Sequence, residues 1–410
     1  MAKVKVKGSR LLKTLNSLSK IGRCPGGGIT RTTFSQADLE ARNYVCNLMR
    51  EAGLHVRMDP YANIVGSYEG SCGTGMVLCG SHIDTVPNGG PLDGSYGVLA
   101  GIEVMRAIVE KGIRTRNGIE VVAFTEEEGV RFPTFLGSRG FTRALSKEHI
   151  YSLRDRNGVS FRQALADAGY NQDELLPAHR RLDEIKAYLE LHIEQGPVLE
   201  KERIPIGVVK SIVGTGELTV QINGHASHAG TPMTLRSDAL AGASRIVLGV
   251  NEIARKRVNT VATVGALNVL PNASNTVPGS VTFPIDFRAP TATDLKTLRD
   301  EIISLSKKVA KQNDLEVTIT LRSYNRPALM SSAVIQTISS CSKALHMPYK
   351  IMHSGAGHDC QNMAAVTKTG MIFVPCTGGV SHTPKESASP ANLEAGANVL
   401  LATLLRLADA

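Results

Sequence analysis

The sequence predicts an α/β protein with a mostly parallel sheet and an inserted α+β domain. Two hydrophobic patterns carry this prediction. Apolar runs typical of strands buried on both faces occur at 76–79, 119–124 and 371–374. Strict alternation of apolar and polar residues, typical of a sheet with one face buried and the other in solvent, occurs between residues 218 and 321. The two patterns occupy different parts of the chain and therefore indicate two domains.

Helical patterns lie between the buried strands. Apolar residues recur at helical spacing over 41–49, where Ser35 is a suitable N-cap and Gly53 a suitable stop. The same spacing recurs over 98–109 and ends at Gly112. Because a helix follows one strand and precedes the next, these segments predict an α/β layer.

The alternating strands indicate a smaller α+β domain. They lie at 218–222, 281–287 and 315–321. Helices are expected among them at about 238–257 and from about residue 293. The resulting order, β-α-β-β-α-β, predicts a ferredoxin-like arrangement.

The domain boundaries follow from where the alternation starts and stops. The smaller domain is expected at 212–327, and the larger domain at 1–211 and 328–410. The larger domain closes with an apolar helix around 393–407. A length of 410 residues agrees with two or three domains.

The composition excludes several classes of protein. With 42% hydrophobic and 20% charged residues, the chain is neither disordered throughout nor fibrous. No apolar run is long enough to span a membrane, and the first residues, MAKVKVKGSR, are too polar for a secretory signal. The seven cysteines form no CxxC pair, so neither a disulfide framework nor a thiolate metal site is indicated. We therefore expect a soluble cytoplasmic protein with free thiols and no membrane contact.

The net charge of +9 is compatible with anionic partners. However, lysine and arginine are scattered along the chain. Aromatic residues make up only 4% of the chain and tryptophan is absent, so few side chains are available for nucleic-acid bases to stack on. We expect no nucleic-acid partner. A field that attracts a carboxylate substrate, or simply a soluble surface, explains the charge.

Polar clusters follow the buried strands and a further apolar segment at 187–191. They are GSHID at 80–84, TEEEG at 125–129, HIEQG at 192–196 and Ser381-His382. A further acid, Asp93, lies in a turn just before a helix. Since α/β sheets place their sites outside the carboxyl ends of the strands, these clusters are expected at one edge of the sheet.

Each cluster alone has an ordinary structural explanation. A lone histidine is usually solvated or bonded to backbone, Asp93 beside glycine suits a plain turn, and three consecutive glutamates suit a solvated surface. The glycine-rich stretch Gly89–Gly97 lacks the Lys-Ser/Thr ending of a phosphate-binding loop. The recurrence of histidine and acid after four strands favours a shared metal site.

The chemistry of these residues fits a catalytic metal site. Imidazole and carboxylate suit zinc and other borderline divalent ions. Two histidines and one carboxylate per ion leave a position open for water, which is typical of catalysis. One carboxylate shared between two ions would hold them about 3.5–4 Å apart, as in two-metal hydrolases.

Neighbouring acids predict supporting roles. On an extended segment Asp84 shares a side with His82, so its carboxylate is expected to accept the other ring N–H and fix the tautomer. Glu127 and Glu128 point different ways on an extended segment. One of them can therefore bind a metal ion while the other acts as general base toward a water molecule.

These motifs resemble the zinc-dependent carbamoylase and allantoate amidohydrolase family, which belongs to the wider dinuclear aminoacylase and carboxypeptidase clan. The segments that carry the resemblance span nearly the whole chain in order. They are GSHIDTVPNGGPLDG (80–94), FTEEEGVRF (124–132), ELHIEQGPVLE (190–200), GHASHAGTPMTLRSD (224–238), NTVPGSVTFPIDFR (275–288), SGAGHD (354–359) and GVSHTP (379–384).

The resemblance implies a dinuclear metallohydrolase domain with an inserted lid and dimerisation domain. His82, Asp93 and His192 resemble the ligands of one ion. Asp93, Glu128 and His382 resemble those of the other, with Asp93 as the bridge. The implied cofactors are two divalent ions per subunit, zinc first, with manganese, nickel or cobalt as alternatives.

The resemblance also implies roles for acids and lid residues. Glu127 resembles the general base, and Asp84 the partner that orients a metal-binding histidine. His228 resembles a lid residue that reaches the active site of the partner subunit in a homodimer. Many relatives have one residue more between the His-Ala-Gly and Thr-Pro-Met parts of this loop, whereas in this chain 228–230 runs directly into 231–233.

Further residues resemble the family's substrate contacts. Asn275 and Arg288 resemble the pair that grips the substrate carboxylate, a task suited to a bidentate guanidinium. Gln195 lies where the family contacts substrate. The loop at 354–359 resembles a pocket lining, so Gly357 and His358 are candidate substrate contacts. Structural loop bonding is an equal alternative for His358 and Asp359.

The implied reaction is hydrolysis of the ureido C–N bond of an N-carbamoyl-L-amino acid, giving the L-amino acid, carbon dioxide and ammonia. Allantoate, which also carries ureido groups and a carboxylate, is the alternative substrate and would give ureidoglycine or ureidoglycolate. An aminoacylase or dipeptidase is more remote and would release no ammonia. A scaffold protein without catalysis is disfavoured because all five candidate ligands and the candidate base are present.

Overall fold

The computed structural model describes residues 4–71, 75–170 and 182–410. These residues divide into two compact units. Ser211–Ala328 forms the smaller unit, and the residues up to Lys210 form the larger unit together with Leu329–Ala410. Among the helices of the described ranges, none combines the length and the apolar character needed to cross a bilayer.

Helices and strands alternate along most of the chain. The first part of the chain forms α1 (Gly8–Leu18), α2 (Gln36–Glu51), β1 (His55–Met58), β2 (Ile64–Tyr68), β3 (Met76–His82), α3 (Ser95–Glu110), β4 (Gly118–Phe124), α4 (Leu136–Phe141), α5 (Lys147–Ser152), α6 (Phe161–Asp167), β5 (Ile185–Ile193), α7 (Val198–Glu202) and β6 (Ile206–Ile212). The middle part forms β7 (Gly214–Asn223), β8 (Ser227–His228), α8 (Ala239–Arg255), β9 (Val261–Thr263), β10 (Asn268–Leu270), β11 (Thr276–Val277), β12 (Ser280–Ala289), α9 (Ala292–Gln312) and β13 (Glu316–Asn325). The last part forms β14 (Ala328–Leu329), α10 (Ser332–Ala344), β15 (Tyr349–Ser354), α11 (Cys360–Met363), β16 (Thr369–Val374) and α12 (Pro390–Ala408).

The larger unit is built on a nine-stranded sheet with the order β1-β2-β4-β3-β5-β16-β6-β14, and β15 pairs with β6. The central strands β4, β3, β5 and β16 run parallel to one another, while β2 joins β4 and β6 joins β16 in antiparallel fashion. Every residue of β4 and β16 is buried, because helices such as α3 and α12 pack into the same core. This confirms the α/β class and the mostly parallel sheet.

The helices of this unit begin and end where their capping residues predict. The Ser35 hydroxyl accepts the Asp38 N–H at the start of α2, and Gly53 follows the end of α2 with a φ of +82°. Gly112 follows α3 with a φ of +61°. The left-handed conformation at both glycines is one that residues with a Cβ adopt only at a cost.

The smaller unit contains an antiparallel sheet with the order β10-β12-β7-β13, and β9 also pairs with β12. Alternate residues of β7 and β12 face a core that also contains apolar residues of α8 and α9, so the two helices pack on one face of the sheet. The chain order of the long elements is β7-α8, then the short strands and β12, then α9-β13. This is the β-α-β-β-α-β order expected from the sequence.

The alternation predicted for the third strand of the smaller unit is wrong at its end. Val317 and Ile319 of β13 pack against the core, but the pairing register shifts between Leu321 and Ser323. Leu321, the last residue before the shift, is 46% exposed, and Tyr324 after the shift packs inward. The extra residue of a β-bulge moves the following side chains to the opposite face of the strand.

Replacing Gly80 by alanine should separate β3 from β4, because a Cβ atom at Gly80 would lie 1.8 Å from the carbonyl oxygen of Val122. We expect the free energy of unfolding in urea to fall by about 1–3 kcal/mol or more. Gly265→Ala is the matched control, because no atom lies within 4 Å of a Cβ there. Equal stability of the two variants would contradict the packing described for β3.

Candidate active site

The polar clusters meet at the carboxyl edge of the parallel strands. His82 is the last residue of β3 and pairs with Phe124, the last residue of β4. His192 lies one residue before the end of β5 and pairs with Phe373 of β16. Because these strands are parallel neighbours, the residues at and beyond their ends share one edge of the sheet.

The first group of potential metal ligands consists of His82, Asp93 and His192. The Oδ1 atom of Asp93 lies 3.7 Å from Nε2 of His82 and 3.1 Å from Nε2 of His192. All three side chains are buried. Their ligand atoms lie within 4.8 Å of one another, as three ligands of one cation would.

The second group consists of Asp93, Glu128 and His382. The other oxygen of Asp93, Oδ2, lies 3.0 Å from Nε2 of His382, which is 3.7 Å from Oε2 of Glu128. Asp93 therefore presents one oxygen to each group. The second group has one imidazole and two carboxylates, so the expected count of two histidines and one carboxylate holds only for the first group.

The charges of these residues fit a cation. Burial raises the pKa of Glu128 to about 7, and the neighbouring Asp93 carboxylate adds to the rise. Burial alone would lower the pKa of His82, but Glu127 and the other carboxylates raise it well above its usual range. The Oε1 atom of Glu128 is buried without a hydrogen-bond partner. Crowded buried acids and an orphaned carboxylate oxygen are what bound divalent ions would compensate.

Backbone carbonyls orient both histidines of the first group. Nδ1 of His82 lies 3.0 Å from the carbonyl oxygen of Asp84, and Nδ1 of His192 lies 2.9 Å from the carbonyl oxygen of Ile193. With Nδ1 directed at a carbonyl oxygen, Nε2 of each ring is the atom that faces Asp93, and Nε2 of His192 also lies 3.0 Å from the backbone N of Gly94. The prediction that the Asp84 carboxylate accepts this N–H is wrong, because its nearer oxygen is 3.7 Å from Nδ1 of His82.

The Asp84 carboxylate has a different task. Its two oxygens accept the backbone N–H groups of Glu127 and Glu128, at 3.2 and 3.1 Å respectively. Asp84 therefore ties the end of β3 to the loop after β4. This contact fixes the two glutamates relative to His82.

The structure separates the three consecutive glutamates. Glu126 has a φ of +55°, and its Oε1 atom accepts the N–H groups of Arg131 and Phe132. Oε2 of Glu127 instead lies 3.7 Å from Nε2 of His82, while Glu128 faces the second group. The left-handed residue turns the chain, so Glu126 belongs to the loop and only the next two glutamates face the candidate ligands.

Gln195 lies beside the second group. Its Nε2 atom donates to Oδ2 of Asp93 at 2.8 Å and to the hydroxyl of Ser381 at 3.2 Å. Like Glu126, Gln195 has a left-handed φ of +55°. The turn there directs its side chain back toward Asp93.

The loop at 354–359 packs against His192 through His358. His358 is 2% exposed, its ring packs edge-to-face on His192 at 4.5 Å between centroids, and its Nε2 atom lies 3.1 Å from the Ser354 hydroxyl. Burial holds the pKa of His358 well below its usual range, so the ring is neutral. A Cβ atom at Gly357 would lie 2.7 Å from Phe135, so the chain packs closely there.

The smaller unit holds the remaining predicted residues. His228 is exposed and pairs with Thr276, and the N–H of Ala229 donates to the carbonyl of Asn275 at 2.8 Å, so the structure brings His228 and Asn275 together. Nδ1 of His228 accepts the N–H of Gly230 at 3.0 Å. The guanidinium of Arg288, partly exposed on β12, donates to Asp286 through Nε at 2.9 Å.

Sequence reasoning missed two buried arginines that hold the site loops. Arg31 donates to the carbonyl of Ile83 and to the hydroxyl of Ser95, at 2.8 Å each, and so joins the segments on either side of Asp93. Arg42 donates to the Thr125 hydroxyl at 2.7 Å, directly before the glutamates. Arginine usually lies at the surface, so no sequence signal indicated these roles.

Comparison with known proteins decides the family. Residues 78–406 match the description "Peptidase family M20/M25/M40". The chain is 40% identical to the N-carbamoyl-L-amino acid amidohydrolase of Geobacillus stearothermophilus, over 98% of this chain and 99% of that protein. The chain belongs to the M20/M25/M40 family. Members of this family hydrolyse C–N bonds and depend on metal ions, so the chain is a hydrolase.

Two further relatives narrow the group within the family. The allantoate amidohydrolase of Escherichia coli strain K12 is 38% identical over 97% of each chain. An amidase of the hydantoinase/carbamoylase family from Burkholderia multivorans has a crystal structure that matches with a TM-score of 0.94, at 38% identity and 99% coverage of both chains. The sequence resemblance to the carbamoylase and allantoate amidohydrolase group is therefore confirmed.

Asp84→Asn should weaken metal binding. The NH₂ group of the asparagine would face the N–H of Glu127 or Glu128, and because two donors cannot bond to each other, one of these two hydrogen bonds would be lost. We expect about a 10–100-fold loss of metal affinity, measured as metal content after dialysis against graded chelator. Asp155→Asn is the control, since Asp155 also accepts two backbone N–H groups but contacts no candidate ligand. Equal metal content in both variants would contradict the role given to Asp84.

Proposed function

We propose that the chain hydrolyses N-carbamoyl-L-amino acids to the L-amino acid, carbon dioxide and ammonia, and that it uses two divalent metal ions. The observation that carries the proposal is the position of Asp93 between two groups of ligands, with Glu127 beside them. The relatives named N-carbamoyl-L-amino acid amidohydrolase support the substrate class.

We propose that the two groups bind one ion each. His82, Asp93 and His192 would hold the first, and Asp93, Glu128 and His382 the second. When bound, such ions polarise the substrate carbonyl and make water acidic enough to attack at neutral pH. Zinc suits these ligands best, and manganese, nickel and cobalt also accept them.

Glu127 is proposed as the general base. Its carboxylate faces His82, and Asp84 fixes its backbone. Burial raises the pKa of Glu127 well above its usual range, which makes the carboxylate a stronger base toward an attacking water. The proton then passes from Glu127 to the leaving nitrogen as the ureido C–N bond breaks. The carbamic acid fragment decomposes to carbon dioxide and ammonia.

The smaller unit is proposed to bind the substrate carboxylate as a lid. Arg288 would bind it through its guanidinium, with Asn275 as a neutral donor, and His228 would stabilise the oxyanion that forms on the carbonyl. Gln195 would contact the substrate from the larger unit. These roles rest on the family resemblance and on the donors that the side chains carry.

We also propose a homodimer formed through the smaller unit, in the cytoplasm. Large apolar side chains are exposed on this unit, including Met233 at 77%, Leu235 at 75% and Leu248 at 67%. Contiguous apolar patches mark surfaces that bind another chain, and we propose that these side chains form such a patch. The cysteines of the described ranges are free thiols, as the reducing cytoplasm favours.

Allantoate is the second candidate substrate. It presents the same ureido and carboxylate groups, and the allantoate amidohydrolase of Escherichia coli is 38% identical to this chain. An aminoacylase or dipeptidase reaction remains the more remote alternative within a family of peptidases.

A panel assay separates these substrates. We expect ammonia release from N-carbamoyl-L-amino acids to exceed that from allantoate, measured at equal concentration with a zinc-loaded sample. Faster ammonia release from allantoate would show that allantoate, and not an N-carbamoyl-L-amino acid, is the substrate. Cleavage of dipeptides without any ammonia release would contradict both.

Glu127→Gln should abolish proton transfer while metal binding persists. We expect turnover to fall about 10²–10⁴-fold, measured by ammonia release at matched metal content. Glu126→Gln is the control, because the Glu126 carboxylate accepts loop N–H groups. A Glu127→Gln variant with turnover near that of the unchanged protein would show that another group is the base.

Arg288→Lys should weaken substrate binding, since a lysine cannot form the two parallel hydrogen bonds of a guanidinium. We expect the KM for N-carbamoyl-L-amino acids to rise about 10–100-fold. Arg322→Lys is the control in the same unit, where the guanidinium donates to Thr219. A KM that rises equally in both variants would contradict a specific contact with the substrate carboxylate.

A further inference from the structure

Glu386 is a buried carboxylate with hydrogen bonds to the two loops that carry Asp93 and His382 of the second ligand group. Its side chain is 3% exposed. Its Oε1 atom accepts the backbone N–H groups of Leu92 and Asp93, at 2.7 and 3.0 Å. Its Oε2 atom accepts the hydroxyl of Ser381, the residue before His382, at 2.7 Å. One side chain therefore ties the turn that carries Asp93 to the loop that carries His382.

Gly90 provides the space for this contact. A Cβ atom at position 90 would lie 2.2 Å from both Cδ and Oε1 of Glu386. The turn before Asp93 thus needs a residue without a side chain at the point where the carboxylate packs. This is an independent sign that the turn is shaped around Glu386.

The Ser381 hydroxyl has a choice of acceptors. It lies 2.7 Å from Oε2 of Glu386 and 3.2 Å from Oδ2 of Asp93. A hydroxyl has one hydrogen, so the shorter contact to Glu386 takes it. Without that carboxylate, the hydrogen would turn to Oδ2 of Asp93.

That change would matter at Asp93 because its Oδ2 atom already has other contacts. The amide of Gln195 donates to Oδ2 at 2.8 Å, and His382 lies 3.0 Å away. A carboxylate oxygen offers about two lone-pair directions. A second donor from Ser381 would use the direction that a cation in the second group needs.

We propose that Glu386 is a positioning residue for the second ion: it holds Asp93 and His382 together and draws the Ser381 proton away from Oδ2 of Asp93. This inference rests on the metal-dependent function proposed above. The substitution that tests it most sharply is Glu386→Gln. The amide oxygen of glutamine can still accept the N–H groups of Leu92 and Asp93, but its NH₂ group would face Ser381 and turn the hydroxyl toward Asp93.

The experiment is a calorimetric titration of the chelator-treated full chain with zinc chloride. The unchanged protein is expected to bind two ions per chain. Glu386→Gln should weaken one of the two about 10–100-fold and leave the other unchanged. The double variant Glu386→Gln with Ser381→Ala should recover part of that loss, because the misdirected hydroxyl is gone.

Glu103→Gln is the matched control. Glu103 is also 3% exposed, and it accepts three hydrogen bonds, from the Lys7 N–H and from two nitrogens of Arg10. None of these contacts reaches a candidate ligand. We expect this variant to bind both ions with unchanged affinity, which would separate the effect of Glu386 from that of losing any buried carboxylate.

The outcomes distinguish this inference from the function on which it rests. If the unchanged protein binds no zinc, the metal-dependent function itself is wrong. If it binds two ions and Glu386→Gln binds them equally well, only the role of Glu386 is overturned. If the double variant does not regain zinc affinity, the claim that Glu386 draws the Ser381 proton away from Asp93 is overturned. Ser381→Ala alone tests the same part without altering a buried charge, and a loss as large as that of Glu386→Gln would contradict it.

Discussion

The candidate site depends on the two carboxylate oxygens of Asp93, which face different groups of ligands. Oδ1 lies beside His82 and His192, and Oδ2 lies beside His382. Burial alone would raise the pKa of Asp93, but its hydrogen bonds with His192 and His382 hold it well below its usual range. Asp93 is therefore a carboxylate that stays charged among other buried acids. Such an arrangement is costly without cations, and this cost is the physical reason for proposing two of them.

The surrounding structure positions this acid and its neighbours through backbone and buried polar groups. Carbonyl oxygens orient His82 and His192, Asp84 holds the N–H groups after β4, and Arg31 joins the segments on either side of Asp93. These contacts connect parts of the chain that are far apart in sequence. A group of ligands that is held before the ion arrives loses less conformational freedom on binding.

Much of the fold and the choice of ligand residues could be predicted from the sequence. The apolar runs of β3, β4 and β16 indicated buried parallel strands because helices cover both faces of such a sheet. Since parallel strands end at one edge, the histidines and acids that follow them were expected to converge there, and the structure brings His82, Asp93, Glu128, His192 and His382 together. Local periodicity and chain direction predicted the shared edge, whereas the family resemblance implied the individual ligands and the choice of Glu128 over Glu127.

The predictions failed where tertiary contacts decide the geometry. Leu321, directly before the bulge in β13, is exposed, although the alternation of the sequence places it inward. The carboxylate of Asp84 binds backbone N–H groups rather than His82, because the backbone carbonyl is better placed for the ring. The contact of Glu386 with Asp93 joins loops that are close only in the folded chain. No periodicity in the sequence reports hydrogen bonds of this kind.

The most direct test of the bridging role of Asp93 is anomalous X-ray diffraction at the zinc edge from crystals of the zinc-loaded protein. We expect two zinc ions about 3.5–4 Å apart, with one oxygen of Asp93 on each and histidine nitrogens at about 2.0–2.1 Å. A single ion, or two ions of which neither is bound by Asp93, would contradict this role.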